Sequence, residues 1–261
     1  MRKVLLRAIL ALLPPATMVA QTAPLEFDVS SVKVSSEYPP GGYSHKITPG
    51  GITIARSSMG YCIRLAYGVS SARPYELVGP AWLNPPTDVL IDITAKTAAP
   101  ATPEEVTLML RRLLEERFGL KVHREVRELP VYELHRMNRG LVLAPSATGG
   151  EAKAKSAGLY VTQYEHVSME QLTTVMGPPW TSRPVLDKTG LTGTYDFKLD
   201  LSRYVIDPAT GTPITDPLGR VDTEVAIPRA LRDQLGLTLT PGRAPISVLV
   251  VDRVEKRPTE K

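Results

Sequence analysis

Ser30-Ser31-Val32-Lys33 and Lys188-Thr189-Gly190 are the parts of this 261-residue chain that most resemble reaction chemistry. They imitate the S-x-x-K and K-T-G pair with which serine-acylating enzymes pair a nucleophile and a lysine. In those enzymes the serine opens a helix, so serine and lysine share a face. Here Val29, Val32 and Val34 fall among polar residues in a strand-like run, and residues three apart on a strand point to opposite faces. No S-D-N element accompanies them, because the only asparagines are Asn84 and Asn138. The pattern therefore predicts no catalytic serine.

The other reactive side chains are scattered. The four histidines, His45, His123, His135 and His166, show no H-x-x-H or H-E-x-x-H spacing, so no metal centre is implied. If residues 121–134 fold back at Glu128-Leu129, His123 pairs with Leu134, and His123 and His135 face opposite ways. Cys62, the single cysteine, falls on the apolar side of a helical pattern and reads as a buried, inert thiol. Asp196 and Asp200 alternate with apolar residues and read as the wet face of a strand. No Walker loop or dinucleotide fingerprint is present, and no cofactor is implied. DKTGLTGTYD (187–196) reads first as a tight hairpin whose glycines supply positive φ. Its functional alternative is a ligand-facing loop, with Asp187, Lys188 and Thr189 as binding groups and His123 as a further candidate.

Charge narrows the partners. The chain carries 31 Lys+Arg and 27 Asp+Glu, but Arg2, Lys3 and Arg7 stand in the first twenty residues without an acid. The remainder is nearly neutral, so it lacks the basic surplus that phosphate contacts require, and no nucleic-acid partner is expected. Those twenty residues join a basic start to an apolar Ala8–Leu13, a Pro14-Pro15 break and a small-residue end at Ala20, the pattern of an export signal. The apolar run is too short for a spanning helix, so the cleaved chain is expected to be secreted or periplasmic and not membrane-spanning.

Four helix patterns position these residues, closed by Gly68, Gly119, Gly177 and Gly236. Ser57 or Ser58 can cap the first, where Met59, Cys62, Ile63 and Ala66 share a face. Thr102-Pro103-Glu104-Glu105 is a capping box for the second, with Val106, Leu110, Leu113, Leu114 and Phe118 as its apolar stripe. Ser168 and Gln171 form a box for the third, and the fourth runs from about Ile227 to Leu235. Each is followed by strand-like residues, which predicts an α+β fold of four tandem helix plus β-hairpin units in two similar packed lobes. The expected boundaries are a signal peptide at 1–20, a first lobe at 21–143, a linker at 144–158 and a second lobe at 159–261. A loop insertion is expected at 202–224, and Ile246–Val251, apolar on both faces, should be a central strand.

Long stretches carry a family likeness: IRLAYGV (63–69), LVGPAWL (77–83), LLEERFGLKVHREVRELPVYEL (113–134), RPVLDKTGLTGTYDFKLDL (183–201) and QLGLTLTPGRAPISVLVVDRVEKRPTE (234–260). The chain is similar to an exported family of unknown function expanded in soil acidobacteria. Some members of that family look like the C-terminal extension of beta-lactam-sensor-type membrane peptidases. The resemblance implies a compartment and no mechanism, since this chain has no H-E-x-x-H. A shorter pattern, helix ending Ala-Tyr-Gly-Val, also resembles the N-terminal protein-binding modules of secretins and TonB-dependent transporters. The residues and the likeness together point to a non-catalytic binding or interaction module, with an envelope protein or cell-wall component as partner. The alternative is a hydrolase acting on cell-wall or extracellular material. Mass spectrometry of the protein from its native host should find an N-terminus near Gln21; a product still starting at Met1 would contradict export.

Overall fold

The computed structural model describes residues 25–35, 44–83, 89–138, 140–147, 149–178, 180–207, 209–215 and 221–259. The export segment 1–20 and part of the 202–224 loop lie outside them. The architecture is α+β. A first half runs β1 (Val29–Ser35), β2 (Ser44–Thr48), β3 (Gly51–Ser58), α1 (Met59–Tyr67), β4 (Leu77–Val78), β5 (Leu90–Lys96), α2 (Pro103–Phe118) and β6 (Lys121–Arg136). A second half runs β7 (Ala144–Pro145), β8 (Lys153–Gly158), β9 (Val161–Val167), α3 (Met169–Met176), β10 (Val185–Asp187), β11 (Tyr195–Asp200), α4 (Ser202–Val205), α5 (Thr223–Ala230) and β12 (Leu237–Arg253). The strands form three sheets, in the orders β1-β5-β3-β2, β10-β6-β12-β4 and β7-β11-β9-β8. The first and third follow one scheme, so the halves repeat element by element, with α4 and its loop added in the second.

The helices start where their caps dictate. Ser58 caps α1 by accepting the Tyr61 N–H at 3.0 Å, and Thr102 with Glu105 and Ser168 with Gln171 close reciprocal boxes on α2 and α3. α5 begins at Thr223, capped by Asp222 and earlier than its apolar pattern suggests, and a π-helical turn (Leu231–Leu235) carries it to Gly236. Gly236 has φ 68°, and a Cβ there would lie 2.2 Å from the Gly140 carbonyl oxygen, so only glycine fits.

The expected hairpins do not form. β6 and β12 are single strands of 16 and 17 residues that pair with each other antiparallel along their whole length. Pro130, Pro241 and Pro245, which suggest turns in the sequence, lie in the middle of this ribbon. There β10 reaches only Tyr132–Leu134 of β6, and β4 only Leu249–Val250 of β12, so a proline's missing N–H can face an open edge. The short strands β4 and β10 join the long ones in parallel rather than pairing with β5 and β11. DKTG is therefore a crossing between two sheets, and the four-unit repeat is replaced by two larger repeats. β1 pairs with β5 in unbroken register from Val29 to Ser35, although its apolar residues slip phase at Ser30-Ser31. The Ala/Gly/Ser-rich 144–158, expected as a linker, carries β7 and β8, the two short edge strands of their sheet. Among the described residues no helix is long and apolar enough to cross a membrane.

Two cores result, and each is completed by the other half's long strand. The first gathers Ile54, Cys62, Ile63, Ile93, Leu110, Leu114 and Phe118 with Leu249 and Val251 of β12. The second gathers Tyr164, Leu172, Phe197, Leu199 and Leu231 with Leu134 of β6. Leu113→Ala should cost about 2–5 kcal/mol in denaturant melts, and Thr102→Ala about 1 kcal/mol. Leu249→Ala, far away in sequence, should cost as much as Leu113→Ala, read by the fluorescence of Trp82 in a Trp180→Phe background. A harmless Leu249→Ala would contradict the shared core.

Candidate functional site

Ser30 and Lys33 lie on β1 opposite Ala95 and Asp92, on opposite faces of an unbroken strand. Lys188 belongs to the other half, where its N–H donates to the Leu134 carbonyl at 2.9 Å. The two halves of the serine-acylation pattern thus never meet. Cys62 is fully buried, and burial pushes its thiol up to about 12, which leaves it without a thiolate at neutral pH.

The DKTG turn binds itself together. Asp187 Oδ1 accepts the N–H and the hydroxyl of Thr189 at 2.8 and 2.7 Å, and Thr189 Oγ1 accepts the Leu191 N–H at 3.1 Å. Thr189 is buried, Gly190 and Gly193 take positive φ, and Lys188 and Gly190 are exposed.

His123 stands elsewhere. Asp187 pairs with Leu134 on β6, eleven residues beyond His123, or about 37 Å at the rise of an extended strand. His135 lies on the same face as His123 rather than the opposite one, because β6 does not fold back. His123 Nδ1 meets Asp252 Oδ2 at 2.9 Å and its Nε2 meets Glu125 Oε2 at 3.5 Å. Arg127 Nε donates to the other Glu125 oxygen. The result is an exposed ladder, Asp252–His123–Glu125–Arg127, across β12 and β6. Bonds to Asp252 and then Glu125 raise the imidazole above its ordinary value, while Arg127, and then His123, hold Glu125 low. His123 thus meets Glu125, while Asp187 and Lys188 stand apart from it. Among the described residues no group of three His, Cys, Asp or Glu side chains could hold a metal ion.

Two carboxylates prove architectural. Asp92 Oδ1 accepts the N–H of Arg56 at 2.7 Å, and Asp196 Oδ1 accepts the N–H of His166 at 2.8 Å. Arg56 and His166 have φ 44° and 54°, each at a register shift two residues before a helix cap. Asp196 also accepts from Ser146 Oγ at 2.6 Å; that bond and the His166 N–H lower its carboxyl pKa. Glu224, which the sequence pattern gave no reason to single out, fastens α5 to β6. Burial pushes it up, yet bonds from Tyr132 at 2.6 Å and from Ser182 outweigh burial and hold it low.

The halves differ at the groove between each edge strand and the helix beside it. In the first, His45 Nδ1 on β2 meets the Tyr61 hydroxyl on α1 at 2.5 Å, and both residues line a cavity of about 310 Å³. His45 pairs with Ile54 as Ala154 pairs with Tyr164, and Tyr61 and Gln171 are both third in their helices. The second half therefore has Ala154 and Gln171 at the bridging positions, and Gln171 turns away to accept the Ser168 N–H at 2.9 Å. Its groove, about 490 Å³, has Lys153, Ala154, Tyr164, Val167, Glu170 and Val175 among its lining residues. A comparison of the halves at an offset near 110 residues would have exposed this exchange in the sequence.

Residues 60–254 match the model of a family described as a protein of unknown function (DUF3738), and the chain belongs to that family. No curated protein and no solved structure matches.

The ladder and the bulge give opposite pH signatures. A raised His123 adds stability that is complete below its unfolded pKa and lost as pH rises through the folded one. A lowered Asp196 adds stability present above its unfolded pKa and lost as pH falls through the folded one. NMR titration should place His123 above 6.5, with Asp252→Asn bringing it down. Asp196→Ala should flatten the acid limb of the stability curve; an unchanged limb would contradict the bulge role.

Proposed function

We propose that this member of the DUF3738 family is a non-catalytic binding or interaction module, exported through its N-terminal segment and acting in the cell envelope or outside the cell. Its partner is an envelope protein or a cell-wall component. The observation that carries this reading is the dispersal of the reactive groups. Asp187 and Thr189 are engaged in their own turn, His123 stands about 37 Å away along β6, and Cys62 is sealed in the core. The groove beside β8, by contrast, is apolar and open. The likeness to exported acidobacterial proteins supports the compartment, and the export pattern of residues 1–20 supports it independently.

One observation favours the alternative of a hydrolase on cell-wall or extracellular material: His123 sits between two carboxylates, as an acid–base histidine does. Its ladder, however, offers no hydroxyl or thiol within hydrogen-bond reach among the described residues, so the ladder reads as surface electrostatics. The mature chain should leave purified peptidoglycan intact and take no fluorescent-penicillin label, in wild type and Ser30→Ala alike. Immobilised on a resin, it should retain a saturable partner from envelope extract, and Lys188→Ala should weaken that retention if the DKTG turn contributes. Release of soluble wall fragments by the mature chain, abolished by His123→Ala, would overturn the reading.

A further inference from the structure

The binding-module reading leaves the occupant unnamed, and the groove beside β8 specifies one. β8 is the last strand of its sheet, and every one of its residues is exposed. Its outward N–H and C=O groups have no strand partner among the described residues, a row that matches the main chain of an added strand and nothing smaller. Its sequence, Lys153-Ala154-Lys155-Ser156-Ala157-Gly158, has only small residues besides its two lysines, so another backbone can approach closely. Beside that edge, Ala154, Tyr164, Val167 and Val175 form an apolar floor, and Val175 is 42% exposed although it lies on a helix.

Charge selects among strands. Lys155 is neutralised by Glu165, with Nζ 3.1 and 2.9 Å from the two carboxylate oxygens. Lys153, which also lines the groove and lies opposite Glu165 in the register, makes no ion pair of its own among the described residues, while Glu170 on the helix side of the groove is paired with Arg73 at 3.5 Å. A second copy of β8 brings two more lysines and no acid to the edge, so it offers Lys153 no opposite charge. The first half provides the internal contrast, since there His45 on the edge strand is joined to Tyr61 on the helix by a direct side-chain contact.

We propose that the groove between β8 and α3 receives an extended segment of another protein, which adds to β8 as the fifth strand of the β7-β11-β9-β8 sheet. Alternate apolar side chains of that segment lie on Ala154, Tyr164, Val167 and Val175, and an acidic side chain pairs with Lys153. The main chain supplies affinity, and the apolar floor and the lysine supply sequence preference.

A random twelve-residue peptide library selected on the mature chain, with counter-selection on Ala154→Phe, tests this. Phenylalanine at 154 fills the groove, and a thermal melt checks that the variant folds. Enriched peptides should show apolar residues at alternate positions with an intervening Asp or Glu. By fluorescence anisotropy they should bind Ala154→Phe at least tenfold more weakly. Lys153→Glu should weaken them several-fold, and N-methylation of the peptide's pairing amides should abolish binding. Failure to enrich any peptide over the counter-selection would overturn the proposal, as would peptides that bind Ala154→Phe or their N-methylated forms unchanged. Concentration-dependent dimerisation lost in Ala154→Phe would overturn it in favour of a second copy. If envelope capture persists in Ala154→Phe, the binding-module reading survives and this groove is not its site.

Discussion

The antiparallel pairing of β6 with β12 is the contact on which the rest depends. The two strands follow equivalent helices and glycines, Gly119 and Gly236, and Glu128 pairs with Pro245, the residue 117 positions later and its equivalent by that spacing. Equivalent strands that pair antiparallel about equivalent residues generate an approximate two-fold axis. The same operation carries the β4 contact at Leu249 onto the β10 contact at Tyr132. Each long strand then begins beside its own half and ends in the core of the other. Neither core is complete without the ribbon, so the two lobes share hydrophobic burial rather than merely touching.

Within that frame the halves keep what the backbone requires and vary what it does not. Both hold a residue at positive φ just before the first helix cap, with its N–H captured by an aspartate from the neighbouring strand. A positive φ at Arg56 or His166 is unfavourable for a side chain, and the charged acceptor offsets part of that cost. The device sets the angle at which α1 and α3 leave their sheets. It therefore also fixes the grooves between those helices and the edge strands β2 and β8. The residues facing into the grooves answer to no such requirement, and there a His–Tyr bridge gives way to Ala and Gln. Divergence on a retained frame is the pattern expected where one copy has acquired a separate task.

The helices were legible in the sequence because their signals are local. Thr102, Glu105, Ser168 and Gln171 lie within one turn of the groups they cap, and the stripe Val106, Leu110, Leu113, Leu114, Phe118 is buried as its spacing implies. The strand partners were not legible, because pairing is a long-range choice. Pro130 and Pro245 resemble turn residues until one sees that the ribbon is only two strands wide beside them. The same error placed His123 and His135 on opposite faces. Asp196 resembled a solvated strand residue because its acceptor role depends on the backbone of His166, thirty residues earlier. The groove was hidden for another reason: its signal is a difference between two repeats, visible only when they are aligned in register.

The central claim has two linked parts, a shared ribbon and an open edge, and native-state hydrogen exchange of the mature chain reads both at once. Amides along β6 and β12 should show one common, highest protection from end to end, since opening either core breaks both. The outward amides of β8 should exchange almost freely while those of its neighbour β9 are protected. Separate protection levels at the two ends of the ribbon, or outward β8 amides already protected in the isolated chain, would contradict the account.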